Sequence, residues 1–320
     1  MKKIIITGAS GFIGSNLLEK FISEGFEVLN IDLRKPRKKK LTKYWRNIDI
    51  TNLQEFKSVV KAFDPNYIVH LAARTDLGGQ SLHDYSANTI GVENLMNITK
   101  KLTSLKKILI TSSMLVCKAG YKPKDQFDFT PTTMYGESKV ITENNVWLNK
   151  PWCDWAILRP TSIWGPGFDI PYKTFFDMVI EKKYFHIGNR GSTKTYGYIE
   201  NTIYQIEKIL FKDTKDNVNK VYYLGDYKPI NIEVWANEIG RELGYSIKKA
   251  PYFLIILLAF IGDFLKILNV NFPMNSFRLK NMSTNNIVDL SQTKKIAPDL
   301  PFGMPSAIKR TLKWLALTNK

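Results

Sequence analysis

Residues 4–14, Ile-Ile-Ile-Thr-Gly-Ala-Ser-Gly-Phe-Ile-Gly, restrict this chain more than any other stretch. Three β-branched apolar residues in a row read as a buried strand, and a glycine-rich turn follows at once. From Phe12 onward, Ile13, Leu17, Leu18, Phe21 and Ile22 recur at the spacing of one helix face. Gly8, Gly11 and Gly14 stand as G-x-x-G-x-x-G. The first permits a tight turn, the second lets a pyrophosphate reach the backbone, and the third lets the helix close on the strand. The helix N-terminus then offers free N–H groups and a positive dipole end. Strand, turn and helix in that order predict a dinucleotide site.

The chain beyond alternates. Phe26–Ile31 reads as a second strand running into Asp32, about twenty residues past the glycines, where a carboxylate meets the adenosine ribose hydroxyls. That carboxylate favours NAD over NADP. Arg34 and Lys35 offset some of its repulsion of a 2′-phosphate, so NADP stays an alternative. Asn47–Ile50 precede an amphipathic helix over Leu53–Phe63, a turn at Asp64-Pro65-Asn66, and a strand at Tyr67–Ala73 that ends in small residues. His70, between Val69 and Leu71, reads as a satisfied core histidine. A long helix over Leu82–Leu102 and a strand at Lys107–Thr111 follow. This order predicts an α/β fold with a doubly wound parallel sheet, helices on both faces. Residues 1–165 form the predicted dinucleotide domain, with elements near 196–225 returning to it. Residues 166–320 form a smaller, mostly helical portion expected to bind substrate.

The uncharged run inside 252–268 breaks at Asp263, short of the roughly twenty residues that span a bilayer. A core helix or a subunit contact is favoured over a membrane-surface helix. Two cysteines, Cys117 and Cys153, offer neither a disulfide framework nor metal-ligand spacing, which fits a reducing compartment and a site without metal. The start of the chain has too short an apolar run for a signal peptide, so a cytoplasmic location is expected. The net charge is +17, with six positive charges in Arg34–Lys40. No nucleic-acid-binding motif accompanies them, and the run reads as a solvated loop. The overall field favours anionic small molecules.

Tyr135-Gly136-Glu137-Ser138-Lys139 opens a helix predicted to run to Leu148. Tyr135 and Lys139, four apart, share one face, and an ammonium beside a phenol favours the phenolate. Tyr135 is thus a candidate acid or base for a hydroxyl or carbonyl. Thr111-Ser112-Ser113 closes a strand at the end where α/β sheets bind ligands, so a serine there can hold the same oxygen.

These pieces resemble the extended short-chain dehydrogenase/reductases, specifically the NAD-dependent epimerase/dehydratase family of nucleotide-sugar enzymes. The matching segments, in family order, are Thr7-Gly8-x-x-Gly11-x-x-Gly14, Asp32, Asp49-Ile50, Leu71-Ala72-Ala73, Asn88, Thr111-Ser112-Ser113, Tyr135-x-x-x-Lys139 and Leu158-Arg159-Pro160-x-x-x-x-Gly165-Pro166. The resemblance implies that Gly8, Gly11, Phe12, Ile13 and Gly14 cradle the pyrophosphate. Asp32 would bind ribose, Asp49 and Ile50 flank adenine, Leu71, Ala72 and Ala73 line the middle of the cofactor, and Asn88 belongs to the cofactor site. Tyr135 would be the acid/base, Lys139 would tune it and hold the nicotinamide ribose, and Ser113 would hold the reacting oxygen. Ser162 and Arg278 are the further substrate positions. A homodimer through the helix of Tyr135 and its neighbour is also implied.

Departures narrow the chemistry. Dehydratases and decarboxylases of the family carry acidic residues directly after the serines, and 3,5-epimerising members a cysteine. Here Met114 and Leu115 stand there, and Cys117 lies three residues past Met114. The usual Val-Tyr-Gly is Val116-Cys117-Lys118, and the asparagine before Gly-Pro is Ser162. The expected activity is NAD-dependent epimerisation at C4 of a nucleoside-diphosphate hexose. The runner-up is a reductase of a nucleotide-linked 4-keto sugar. Behind these stand a hydroxysteroid dehydrogenase-like enzyme and a non-catalytic cofactor sensor.

Overall fold

The computed structural model describes residues 2–170, 172–188, 191–212, 220–268, 270, 272 and 275–318, with backbone alone at 277, 278 and 281. Seven strands make the central sheet: β1 (Lys3–Thr7), β2 (Glu27–Ile31), β3 (Trp45–Arg46), β4 (Tyr67–His70), β5 (Lys107–Thr111), β6 (Asp154–Pro160) and β7 (Val221–Leu224). The helices are α1 (Phe12–Ser23), α2 (Leu53–Phe63), α3 (Ser86–Thr99), α4 (Met134–Asn149), α5 (Tyr172–Ile180) and α6 (Ile199–Phe211), then α7 (Ile232–Glu242), α8 (Tyr252–Ile267), α9 (Ser276–Ser283), α10 (Ser291–Ile296) and α11 (Met304–Thr318).

The chain divides into two compact units. The first comprises residues 1–163, 197–225 and 289–301, and the second residues 164–196, 226–288 and 302–320. In the first, the strands lie parallel in the order β3-β2-β1-β4-β5-β6-β7. This is the doubly wound sheet predicted from the alternating strands and helices. Its register decides where a ligand can sit. Thr7 pairs with Ile31 on one side and His70 on the other, so these strands end level. The next residues in the chain are Gly8, Asp32 and Leu71, at the crevice where strand order reverses on either side of β1.

Both sheet faces are covered, which is why the strands are near-continuous apolar runs. Ile5, Ile68 and Ile108 pack into one core with Phe56 and Val60 of α2, Val92 and Leu95 of α3, and Val146 of α4. A separate aromatic cluster joins Phe21 of α1, Phe26, Tyr67 and Phe211 of α6, with the Phe26 and Phe211 rings stacked at 5.5 Å. The single helix expected over Leu82–Leu102 is instead a 3-10 turn at Leu82–Tyr85 followed by α3. Asp84 takes the backbone N–H groups of Gln80 and Ser81, and Tyr85 donates to the Asp76 carbonyl at 2.8 Å. These bonds cap the turn locally and separate it from the helix proper.

The second unit is built around aromatic packing. Trp235 of α7 contacts Trp164, Phe175 and Tyr196 at ring separations of 4.9, 4.9 and 4.7 Å. Helix α8 departs from the core-helix expectation for 252–268, because only Ile255, Ala259 and Gly262 are buried in it. Among the described residues no helix is long and apolar enough to cross a membrane.

Candidate cofactor and catalytic site

Gly8 has φ +73°, and a Cβ there would lie 2.6 Å from the Ala72 nitrogen. At Gly14 a Cβ would fall 2.3 Å from the Gly8 carbonyl oxygen. Only glycine lets β1 turn this sharply and α1 begin this close to it. The turn is closed by Gly8 N–H to the Ile31 carbonyl (2.8 Å) and Gly11 N–H to the Gly8 carbonyl (3.0 Å). At the end of β2, the Asp32 carboxylate accepts from Ser10 N–H at 3.0 Å and Arg34 N–H at 2.8 Å. The glycine turn and the Asp32 carboxylate are therefore one hydrogen-bonded piece.

These groups line a cavity of about 700 Å³. Its walls include Gly8, Gly11, Phe12, Ile13 and Gly14, then Asp32, Asp49 and Ile50, then Leu71, Ala72 and Ala73. Ser113, Tyr135 and Lys139 line the same cavity. The structure thus brings together residues up to 131 positions apart, from Gly8 to Lys139. A glycine cradle that any Cβ would fill, a carboxylate beside it and small residues along the middle fit a dinucleotide.

Local chemistry places the second cluster. Thr133 caps α4, its hydroxyl oxygen accepting from Gly136 N–H at 3.0 Å. Gly136 lets α4 approach the serine loop: a Cβ there would sit 2.4 Å from the Leu115 carbonyl oxygen. Ser113 caps the short 3-10 turn at Met114–Val116, accepting from Leu115 N–H at 3.1 Å. Tyr135 and Ser113 are both buried except for the cavity side.

Lys139 is buried, and its ammonium donates to the Thr111 carbonyl at 2.9 Å. Burial pushes it down to about 8, opposed by the charge of Glu143 one turn further along α4. Glu143 is buried and held on both oxygens by Arg159, at 2.8 Å to Nε and 2.8 Å to Nη2, and it accepts from Ser112 Oγ at 2.5 Å. Arg159 also donates to the Tyr223 hydroxyl and the Gln126 carbonyl, which completes its pairing. This buried network ties α4, β5 and β6 together beneath the cavity. His70 is buried as predicted but only half satisfied, with Nδ1 bonded to the Thr7 hydroxyl at 2.8 Å and Nε2 without a partner among the described residues; burial with the nearby Lys139 charge pushes it down to about 3. It stays neutral.

The remaining candidates lie elsewhere. Asn88 is not a wall residue: its amide bonds both backbone groups of Arg74 (2.9 and 3.0 Å) and the Ser138 hydroxyl (2.9 Å). It clamps the loop after β4 to α4, a positioning part in place of the contact implied by the resemblance. Ser162 is half-buried in a short strand and is not among the wall residues. The Arg278 side chain lies outside the described residues. Sequence reading passed over Arg74, Thr75 and Asp76, which do line the cavity. Arg74 is held by Asp76 at 2.8 Å and lies over the Tyr85 ring. Their signal was weak, a charged pair in a loop without periodicity. Glu143 had a signal, its place four residues after Lys139 on one helix face. The basic run is only in part the solvated loop expected: Lys39 and Lys40 open a 3-10 turn, Arg34 lines the cavity, and Lys38 and Lys40 pair with Glu19 of α1.

Fold and site together define a Rossmann-type dinucleotide enzyme with a tyrosine–lysine pair. Residues 4–216 match the model of the NAD dependent epimerase/dehydratase family, and the chain belongs to that family. It is an NAD-dependent enzyme of the extended short-chain dehydrogenase/reductase type. An Escherichia coli O157:H7 relative, N-acetyl-alpha-D-glucosaminyl-diphospho-ditrans,octacis-undecaprenol 4-epimerase, is 25% identical over 97% of this chain and 94% of its own. A sterol-4-alpha-carboxylate 3-dehydrogenase of Candida albicans is 24% identical over 98% of both. Among solved structures, the UDP-glucose 4-epimerase of Thermotoga maritima with UDP-glucose superposes at a TM-score of 0.78, with 19% identity over 99% of this chain and 100% of its own. That last likeness speaks for the fold.

Proposed function

We propose that the chain epimerises C4 of a hexose carried on a diphosphate, with a nucleoside diphosphate as the first carrier to test. One observation carries the reading: Ser113, Tyr135 and Lys139 face one cavity with the glycine cradle, while Met114 and Leu115 after them hold no proton-transferring group. Such a set suits reversible hydride transfer at a secondary alcohol and lacks the extra acid and base of a dehydration. Ser113 holds the sugar oxygen. Tyr135 takes the hydroxyl proton, with the Lys139 charge favouring the phenolate that does so. NAD held by the glycine turn and Asp32 would supply a reversible hydride acceptor for the sugar carbon. Tyr135 then gives the proton back, so the residues end as they began. The E. coli relative, named as a 4-epimerase of a diphosphate-linked sugar, supports this reading and makes a polyprenyl diphosphate the second carrier to test.

A reductase of a diphosphate-linked 4-keto sugar is the second reading, favoured by Arg34. Its guanidinium stands beside the glycine turn, 3.6 Å from where a Gly11 Cβ would be, and suits the 2′-phosphate of NADP. The experiment that separates them is to denature purified protein, identify released nucleotide, and incubate the native protein with UDP-hexoses without added cofactor. Retained NAD and interconversion of C4 epimers are expected. Turnover only with added NADH or NADPH refutes the epimerase and supports the reductase.

A further inference from the structure

Helix α8 is inside out for a surface helix. Its buried residues, Ile255, Ala259 and Gly262, form one stripe at i, i+4 and i+7. At 3.6 residues per turn, Phe253, Leu257, Phe260, Phe264 and Ile267 fall on the opposite side, with Leu254 and Ile261 at its edge, in an arc about 140° wide. All are exposed, Phe260 by 65% and Phe264 by 62%. The helix's two charged residues, Asp263 and Lys266, lie outside that arc, and Asp263 is engaged with the Ser276 N–H of α9 at 3.1 Å. A solvated helix carries its polar residues where α8 carries phenylalanine.

The charge of the chain on either side of the helix points to its occupant. Between residues 243 and 288 there are five basic residues and one acidic one. Lys248 and Lys249, just before the helix, and Lys280 on α9 are exposed, while Lys266 falls on the side of the buried stripe. A second copy of this chain would bring the same lysines against themselves, since a two-fold contact pairs a patch with itself. An anionic lipid surface complements them, and the helix is too short to span a bilayer.

We propose that α8 is a membrane-docking helix that lies in the plane of an anionic phospholipid surface, its phenylalanine arc in the acyl boundary and Lys248 and Lys249, at its start, at the phosphates. Binding of this kind joins apolar burial to charge attraction, and each has its own signature. The proposal is independent of the reaction assigned above.

The test is flotation of the full chain with phosphatidylcholine vesicles, with and without phosphatidylglycerol. Wild type floats with the phosphatidylglycerol vesicles, less so at high salt, and not with phosphatidylcholine alone. Phe260→Glu with Phe264→Glu lowers the bound fraction by about tenfold or more, while the circular dichroism spectrum and turnover of a water-soluble substrate are unchanged. Phe264→Cys carrying an environment-sensitive dye, in a chain whose Cys117 and Cys153 are buried, shifts to the blue on phosphatidylglycerol vesicles. Three results overturn the proposal: no flotation with phosphatidylglycerol vesicles, wild-type flotation of the double glutamate variant, or an unshifted dye. A dimer in ultracentrifugation that the glutamate variant splits, without vesicle binding, assigns the face to a second copy instead. The dye result stands even if the glutamate variant fails to fold.

Discussion

Tyr135 and Lys139 differ in what they are asked to do. Tyr135→Phe removes the hydroxyl that moves the proton and keeps the ring, which packs 6.1 Å from that of Tyr85. Turnover should fall by about 10²–10⁴-fold with NAD affinity, measured by calorimetry, nearly unchanged. Full activity in that variant removes Tyr135 from the mechanism. Lys139 carries a stability signature as well. Its folded value of about 8 lies below the ordinary 10.5, so between these values the unfolded chain holds the extra proton. Stability contributed at this residue therefore rises with pH across that window and is lowest below it, where the buried ammonium must stay charged. Denaturant unfolding of wild type and Lys139→Met over the window checks this: the variant should lack that part of the rise. Equal slopes in the two proteins refute it.

Helix α4 is the element on which the candidate site depends, through its N-terminal turn and its buried ion pair. Gly136→Ala forces a methyl toward the Leu115 carbonyl oxygen, which it would meet at 2.4 Å. The serine loop and Tyr135 should move apart, so kcat drops by about tenfold or more while the cofactor dissociation constant stays within a few-fold. A loss of NAD binding in place of a kcat loss refutes that division of labour. Arg159→Met leaves the Glu143 carboxylate buried without its partner and should cost about 3–5 kcal/mol in urea unfolding. A cost below about 1 kcal/mol, the range of a surface pair, would mean that water or another group takes over the pairing.

Taken whole, the molecule keeps its two thiols out of reach. Cys117 and Cys153 are buried and free, and burial pushes both thiols up, Cys153 to about 12. Native protein should react slowly or not at all with a thiol reagent, and two thiols should appear on denaturation. Rapid native labelling contradicts this burial. The parts of this architecture that were legible in the chain are those set by near neighbours. Three isoleucines before a glycine turn specify β1 and α1, and the four-residue step from Tyr135 to Lys139 specifies a shared face. Both depend only on backbone periodicity and on what a missing Cβ allows. The Asp84 cap that splits Leu82–Leu102 was also local, but helical apolar spacing continued across it and hid it. Other features have no local cause. Glu143 meets Ser112 and Arg159 only because α4 packs across β5 and β6, and Asn88 meets the Arg74 peptide only because the loop after β4 folds back on α3. Apolar on every side, the α8 stretch carries no periodicity that says which side is to be buried. Packing against its own unit resolved that, burying Ile255, Ala259 and Gly262 and leaving the phenylalanines outside.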